Sequence, residues 1–211
     1  MSLYATSTSS SKFKPVPGGL FLARCYRVVD LGTQKSEYKG EITFKRKIMI
    51  GWELHGEDDS GNPLVTESGE PMAIFKSYNL SWTDKSALRI DLQAWRGTPF
   101  TPDELTKFDL KKILDQWCMV NVVQKDVGGK NYSNVESITS VPQMIKKAGL
   151  PKSVNACQLF SISNPDMEVF EKLSKNLKEK IENSPEWKSK NSTGFEDMPH
   201  ELEDDDSDLP F

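Results

Sequence analysis

The chain has little of the side-chain chemistry that most enzymes and metalloproteins use. Its 211 residues include only two histidines and three cysteines. The cysteines, at positions 25, 118 and 157, form no CxxC pair and are too scattered for a disulfide framework. Zinc-type spacing, a phosphate-binding glycine loop and a nucleophile–base motif are also missing, so the sequence predicts a non-enzyme without cofactor or metal.

Long apolar runs are missing as well. The longest, such as 19–23 and 48–51, are far shorter than the roughly 20 residues that a membrane span requires. Residues 1–11 lack the basic start and apolar middle of a signal peptide. We therefore expect a cytoplasmic protein with no membrane partner.

One loop offers carboxylates that a hard cation would accept. His55 is followed by Gly56 and by the acidic run 57–59, the kind of cluster that binds Mg²⁺ in a nuclease. Residues 60–63 read Ser-Gly-Asn-Pro, which are turn formers. This composition favours a solvated turn over a metal centre.

The net charge of −4 conceals a segregation of charge along the chain. Residues 195–211 hold eight acidic side chains and neither Lys nor Arg. The remainder has 27 basic and 23 acidic residues, a net charge of +4. A basic body with an acidic arm is typical of proteins that use the arm for interactions.

Three strands are predicted in the first 82 residues. Residues 20–31 mix β-branched, aromatic and apolar side chains and end at a glycine. Residues 45–54 alternate, with Ile48, Ile50, Trp52 and Leu54 on one face. After a turn-rich loop over 55–71, strand character resumes at 72–82.

Two helices and a hairpin are predicted next. Helical spacing covers 84–95, and Thr101 followed by Pro102 opens a helix over 102–115. Strands at 117–124 and 130–139 flank a glycine-bearing loop. The order β-β-β-α-β-β predicts a mainly β (β+α) fold, an OB-fold five-stranded Greek-key barrel with a helical insert between strands 3 and 4.

Composition divides the rest of the chain. Residues 1–12 are Ser/Thr-rich and predicted disordered, and 13–145 form the OB domain. Residues 146–187 form a C-terminal extension with an amphipathic helix over 165–182, which packs against the barrel or makes a dimer or partner contact. Residues 188–211 are predicted to be a disordered acidic tail.

Basic and aromatic side chains are interleaved on the predicted strands. Binding of single-stranded nucleic acid requires cations for the phosphates and flat side chains on which bases stack. Trp52 shares its face with Ile48 and Ile50, which favours a core position for it. The candidate DNA-binding residues are Arg24, Tyr26, Arg27, Lys45, Arg46, Lys47, Trp52, Phe75, Lys76, Tyr78, Lys125, Lys130 and Tyr132.

The last eight residues read Asp-Asp-Asp-Ser-Asp-Leu-Pro-Phe. They resemble the acidic tip of single-stranded DNA-binding proteins, in which aspartates precede an apolar residue, Pro and a final Phe; here Ser207 interrupts the acids. The resemblance implies that the Phe fills an apolar pocket with a basic rim on a partner while the aspartates steer the encounter. The partner-docking residues are Asp204, Asp205, Asp206, Asp208, Leu209, Pro210 and Phe211.

The body resembles the same class of protein. Residues 13–34, 52–54, 78–81 and 95–97 are similar to tailed-bacteriophage single-stranded DNA-binding proteins of OB-fold type. The resemblance implies a protein that coats single strands in phage DNA replication and recombination and recruits a DNA polymerase or helicase through its tail. In such proteins the tail can also occupy the DNA groove.

Two further interpretations stay open. The first is an OB-fold adaptor of a replication complex, with little direct DNA affinity and an acidic tail that supplies solubility. The second concerns the polymer, since stacking and phosphate contacts serve RNA as well as DNA. The sequence also leaves a homo-oligomer open.

Overall fold

The structure is a computed structural model that describes residues 15–38 and 40–192. In this part of the chain the fold is mainly β, with a largely antiparallel open sheet and several short helices. The strands are β1 (Gly19–Tyr38), β2 (Glu41–His55), β3 (Ala73–Asn79), β4 (Trp117–Val127), β5 (Lys130–Thr139) and β6 (Gln158–Phe160). The helices are α1 (Ala87–Arg96), α2 (Pro102–Thr106), α3 (Gln143–Ala148), α4 (Met167–Glu171), α5 (Lys175–Glu182) and α6 (Pro185–Ser192), with a 3-10 turn at Leu110–Ile113.

The long strand β1 organises the sheet. Its beginning pairs antiparallel with β4, and most of its length pairs antiparallel with β2. The strand order is β3-β2-β1-β4-β5, and β6 adds a short parallel pairing on β1. The outer strands β3 and β5 contact each other, and α1 packs against both.

The main hydrophobic core lies on the inner face of this sheet. Ile48, Ile50, Trp52 and Leu54 point inward from β2, as their alternation predicts, and all are buried. The apolar face of α1, which carries Leu88, Leu92 and Trp95, covers this core. The helix begins at the Ser86 cap and ends at Gly97, whose φ of 74° is the left-handed conformation that glycine adopts without strain.

A second hydrophobic cluster covers part of the outer face. Val29, Leu31 and Met49 point outward from β1 and β2 and pack beneath residues of the C-terminal extension. The C-terminal extension therefore packs against the sheet, which is the first of the two alternatives that the sequence left open. The covering side chains are Phe160, Ile162, Phe170, Leu173 and Ile181, which are all buried.

Two predicted helices are interrupted. The helix expected over 102–115 is α2 followed by a 3-10 turn, because the backbone is extended at Lys107. Phe108 then turns inward to stack on Trp82, with ring centroids 5.3 Å apart. The helix expected over 165–182 divides into α4 and α5 at Ser174, whose backbone is also extended.

The boundary of the predicted tail is later than composition indicates. Residues 188–192 belong to α6, and Trp187 of that helix stacks on Phe170 with ring centroids 4.9 Å apart. The predicted disordered segment 1–12 and the acidic residues 195–211, including the docking tip, lie outside the described residues. No helix in the described ranges is both long and apolar enough to cross a membrane.

Candidate nucleic-acid interface

Two adjoining clefts form one groove on the open part of the outer face. Their volumes are about 570 Å³ and 780 Å³, and both are lined by Val16, Ala73 and Phe75. The first cleft continues to Tyr26, Arg27, the loop 66–72 and Asn155. The second continues to the end of the β4–β5 hairpin at Gly129 to Ser133. We call the combined surface the Phe75 groove.

The floor of the Phe75 groove is a row of three residues on neighbouring strands. Arg27 of β1 pairs with Gly51 of β2, which pairs with Phe75 of β3. A Cβ atom at Gly51 would lie 2.6 Å from Phe75 Cε1, so only glycine lets the Phe75 ring lie against the sheet. Phe75 keeps 38% of its surface exposed in this position. Sequence reasoning overlooked Gly51, although a glycine inside an alternating strand signals such a close approach.

The Arg27 side chain lies beside two aromatic rings, those of Tyr26 and Phe75. The guanidinium carbon of Arg27 is 5.1 Å from the centroid of the Tyr26 ring and 5.7 Å from that of Phe75. The sheet register shifts at Tyr26, which directs both Tyr26 and Arg27 to this face. Arg27 Nε is buried without a hydrogen-bond partner, and Arg27 forms no ion pair within the described ranges. The groove therefore offers an anion a cation that has no direct carboxylate partner within the described residues.

The β4–β5 hairpin supplies the far end of the groove. Lys125 pairs with Tyr132 across the hairpin, and Lys130 precedes Tyr132 by two positions on the same strand, so the three share a face. Tyr132 has 51% of its surface exposed, and both lysines are exposed. Tyr132 and Lys130 line the cleft.

Two carboxylates lie at the opposite end. Glu67 and Glu70 line the cleft that holds Arg27. Their charges oppose the approach of a phosphate, and they offset part of the positive potential of Arg27. Affinity for a polyanion would then depend on the exposed rings as much as on charge.

The predicted basic run of β2 divides between two roles. Lys45 and Lys47 lie on the same strand face as Gly51, and no carboxylate within the described residues pairs with either. Lys47 Nζ donates to Ser36 Oγ at 3.0 Å. Arg46 instead binds Asp30 at 2.5 Å, a contact that raises the pKa of Arg46. Arg46 is therefore a structural residue here.

Lys76 and Tyr78 are on the inner side of β3. Both donate to one carboxylate oxygen of Asp91 on α1, each at 2.8 Å. Tyr78 is 3% exposed, and its burial, together with the charge of Asp91, raises its pKa. This correction removes both residues from the candidate contacts, because their polar groups fasten α1 to the sheet and no face of Tyr78 is open to a base.

Arg24 is likewise not available to a ligand. It is 4% exposed, and it donates to Glu53 at 2.9 Å, to Asp115 at 2.6 Å and to the carbonyl oxygen of Asn155. Glu53 is fully buried and accepts hydrogen bonds from the backbone and side-chain nitrogens of Asn155, both at 2.7 Å. These contacts hold the start of the C-terminal extension on the sheet.

The charge of Glu53 is stabilised by its donors. Burial alone would raise its pKa, but hydrogen bonds from Asn155, His55 and Val154 outweigh burial and lower the pKa to about 2. Asn155 also lines the Phe75 groove. The Arg24–Glu53 pair thus fixes one wall of the groove from inside the protein.

Trp52 is fully buried, 6.0 Å from Trp95 between ring centroids. It belongs to the main core and leaves the set of candidate contacts. Of the predicted residues, the structure brings together Arg27, Phe75, Lys130 and Tyr132 in the groove, with Lys125 on an adjoining strand surface. Tyr26 lines the same cleft but is only 5% exposed, so it supports Arg27 and Phe75 and offers no open face to a base. Lys45 and Lys47 lie further along β2, beyond Met49, which the C-terminal extension covers.

The carboxylate loop between β2 and β3 is a turn. Asp58 Oδ1 accepts from the backbone nitrogens of Ser60 and Asn62, both at 2.9 Å. The His55 ring packs against the Trp117 ring, with centroids 4.9 Å apart. Its Nε2 atom lies 3.1 Å from Glu53 Oε1. No three metal-ligating side chains converge anywhere in residues 15–38 and 40–192.

No protein-family model matches the chain, and no curated protein matches it significantly.

Proposed function

We propose that the protein binds single-stranded DNA without sequence preference, through the Phe75 groove of an OB-fold barrel. The barrel is supported by the pairing of β1 with both β2 and β4, by the contact between β3 and β5, and by the helix between β3 and β4 that packs on both. OB-folds bind oligonucleotides on the face of strands 2 and 3, between the loops of the first and last hairpins. The position of the groove supports the proposal, since Gly51 of β2 and Phe75 of β3 form its floor and the β4–β5 hairpin forms its end.

The observation that carries the proposal is the arrangement of Arg27 beside Phe75. A half-exposed ring offers a base its face, and stacking of this kind contributes ~1–3 kcal/mol per base. The adjacent side chain of Arg27, which is half-buried and has no ion pair within the described residues, offers a phosphate a counterion. Neither contact reads the edge of a base, so the binding tolerates any sequence.

The biological role follows from the sequence resemblance. The protein coats single strands during phage DNA replication and recombination, in the cytoplasm, by binding alone. Its acidic residues 204–211 recruit a replication protein such as a DNA polymerase or helicase. RNA remains an outcome of the binding test, because no contact in the groove is specific to a deoxyribose.

The direct test is the fluorescence anisotropy of a labelled oligo-dT titrated with the full chain. Intrinsic tryptophan quenching would report poorly, since none of the five tryptophans lines the groove. We expect saturable binding to oligo-dT, weaker binding to a duplex of equal length, and weakening with added salt as counterions are released. Equal or tighter binding to the duplex would contradict the proposal.

A second candidate is an OB-fold adaptor that holds a peptide. The observation that favours it is the pair Glu67 and Glu70 in the Arg27 cleft, which suits a neutral or cationic ligand better than a phosphate chain. An adaptor would leave the anisotropy of oligo-dT unchanged at every protein concentration. Matched DNA and RNA strands in the same assay separate the two polymers.

A further inference from the structure

A second aromatic cavity lies away from the Phe75 groove. It is formed by α1, α2, the 3-10 turn and the start of β4, and its volume is about 360 Å³. Such a volume falls in the usual range of ligand sites. Its aromatic lining consists of Trp95, Phe100, Phe108 and Trp117. We call it the Trp117 cavity.

Cations surround this aromatic lining. Lys112 Nζ is 5.9 Å from the Phe108 ring centroid, and the Arg96 guanidinium is 5.0 Å from that of Phe100. Arg96 is paired with Glu104 at 2.7 Å, whereas Lys112 and Lys146 have no ion pair within the part of the chain that is described. The cavity therefore combines an apolar floor with two uncompensated positive charges.

We propose that the occupant of the Trp117 cavity is residues 204–211 of the same molecule. This segment carries four aspartates and then Leu-Pro-Phe, so one short stretch presents both acidic and apolar side chains. Phe211 or Leu209 fills the aromatic floor, and the aspartates pair with Lys112 and Lys146. The inference does not depend on whether the Phe75 groove binds DNA.

The chain is long enough for this contact. Glu186 of α6 accepts a hydrogen bond from the backbone nitrogen of Thr33, at 2.9 Å, so the helix that ends at Ser192 lies against β1. Nine residues along β1 separate Thr33 from Arg24, the partner of Trp117, which is about 30 Å. The nineteen residues from Ser192 to Phe211 span up to ~65 Å when extended.

Attachment to the same molecule strengthens a weak contact. Tethering a segment to the protein that it binds gives it an effective concentration in the millimolar range. The tip is then held on the body at a site separate from the groove, and a partner protein must compete with the Trp117 cavity for it. Strand binding in the Phe75 groove leaves this contact in place.

The test uses amide and indole N–H resonances of the full chain in two reciprocal comparisons, without DNA. First, Phe211→Ala is compared with the unchanged protein. The indole N–H signals of Trp95 and Trp117 are expected to shift, because the docked tip lies against these rings. Shifts at Phe75 and Tyr132, with unchanged indoles, would place the tip in the groove and overturn the proposal.

Second, the signals of the tip itself are followed while the cavity is changed. In Lys112→Glu the backbone amides of Ser207 and Leu209 are expected to move to the positions of a free peptide spanning 201–211. Lys172→Glu makes the same charge change at an exposed lysine outside the cavity and should leave these amides in place. Tip amides that match the free peptide in the unchanged protein would refute docking.

The dependence of the tip amide signals on salt concentration provides an independent test. At about 1 M ionic strength the Debye length falls to about 3 Å, so the attraction between aspartates and lysines is largely screened. The tip amides of the unchanged protein should then approach the free-peptide positions. If they stay fixed in high salt, the assignment of Lys112 and Lys146 as the recognising groups is wrong.

Discussion

At the scale of single residues, the shape of the groove depends on a glycine, Gly51, which has no side chain. Gly51 leaves the space in which the Phe75 ring lies against β2 with Arg27 beside it. This arrangement holds the two proposed binding groups in place before a ligand arrives, so little conformational entropy would be lost on binding.

Gly51→Ala should disturb the groove more than the fold. The new Cβ would meet Phe75 Cε1 at 2.6 Å and Arg27 Cβ at 3.3 Å, so the ring must move outward. We expect oligo-dT affinity to fall by about as much as in Phe75→Ala. Gly18→Ala, where the nearest atom is 3.6 Å away, is the matched control in the same anisotropy titration. Unchanged affinity in Gly51→Ala would show that the ring position does not matter.

Glu53 makes the stability of the protein depend on pH. Its pKa is about 2 in the folded protein and higher in the unfolded chain, so the unfolded chain binds the proton more tightly. The stabilisation is complete above the ordinary glutamate pKa, near 4.3, and is lost as the pH falls towards 2. It amounts to about 3 kcal/mol.

Urea unfolding at several pH values measures this effect. Glu53→Gln should lower the free energy of unfolding by about 3 kcal/mol at pH 7 and should lose stability less steeply than the unchanged protein between pH 4.5 and 2. Glu136→Gln, at an exposed glutamate of β5, is the control. Parallel pH profiles for Glu53→Gln and the unchanged protein would refute the assignment.

Sequence patterns located some groove residues and misplaced others for identifiable reasons. Lys76 and Tyr78 do share a strand face, as alternation indicates, but the periodicity does not say which face is inward. The partner that draws them inward, Asp91, lies on α1, and long-range pairings of this kind leave no local signal. Phe75 faces the groove because it is one position out of phase with them.

At the scale of elements, the β1–β2 pair extends past the core and carries Lys45 and Lys47 on the Gly51 side of β2. A strand that continues from the groove past the C-terminal extension, which covers Met49 between Gly51 and Lys47, would meet these lysines. Each phosphate that a lysine neutralises contributes about −0.7 to the slope of log affinity against log salt for single strands.

Lys47→Gln should therefore make that slope shallower by about 0.7. Lys188→Gln, at an exposed lysine of α6, should leave the slope unchanged. The measurement is a series of oligo-dT titrations across salt concentrations. If Lys47→Gln and Lys188→Gln give the same slope of log affinity against log salt, Lys47 does not contact the strand.

The C-terminal extension is a structural part of the sheet. Phe160 is 1% exposed and lies between β1 and α4, with its ring centroid 5.4 Å from that of Phe170. Phe160→Ala should cost about 3–5 kcal/mol in the free energy of unfolding, because a large buried ring is removed. Met167→Ala, at a half-exposed position of α4, should change it by less than about 0.5 kcal/mol. Chemical denaturation compares the two, and a similar small loss in both would mean that the extension does not stabilise the sheet.

Element prediction succeeded where periodicity is local. Alternation located β2, and the glycine-bearing loop located β5 over 130–139. The three-residue strand β6 was not predicted, because so short a segment has no period and forms only against β1. The apolar stripe over 165–182 was found, but its interruption at Ser174 depends on how Phe170 and Leu173 fit the outer face of the sheet.

At the scale of the whole molecule, the net charge of −4 reflects an acidic terminal segment and a basic body. Within the body, the cations are divided between structural and exposed roles. Arg24, Arg46 and Lys76 pair with carboxylates, while Arg27, Lys125 and Lys130 do not within the described ranges. The second group is free to meet a polyanion and the first is not, a distinction that composition alone could not make.

The central claim is that Phe75 is a stacking surface for single-stranded DNA, and the dissociation constant of oligo-dT for Phe75→Ala tests it most directly. We predict a loss of ~1–3 kcal/mol, which is roughly 5- to 150-fold in affinity. Ile90→Ala, which removes an exposed apolar side chain from α1 outside the groove, should bind as the unchanged protein does. If Phe75→Ala binds oligo-dT as tightly as Ile90→Ala, the groove is not the DNA-binding site.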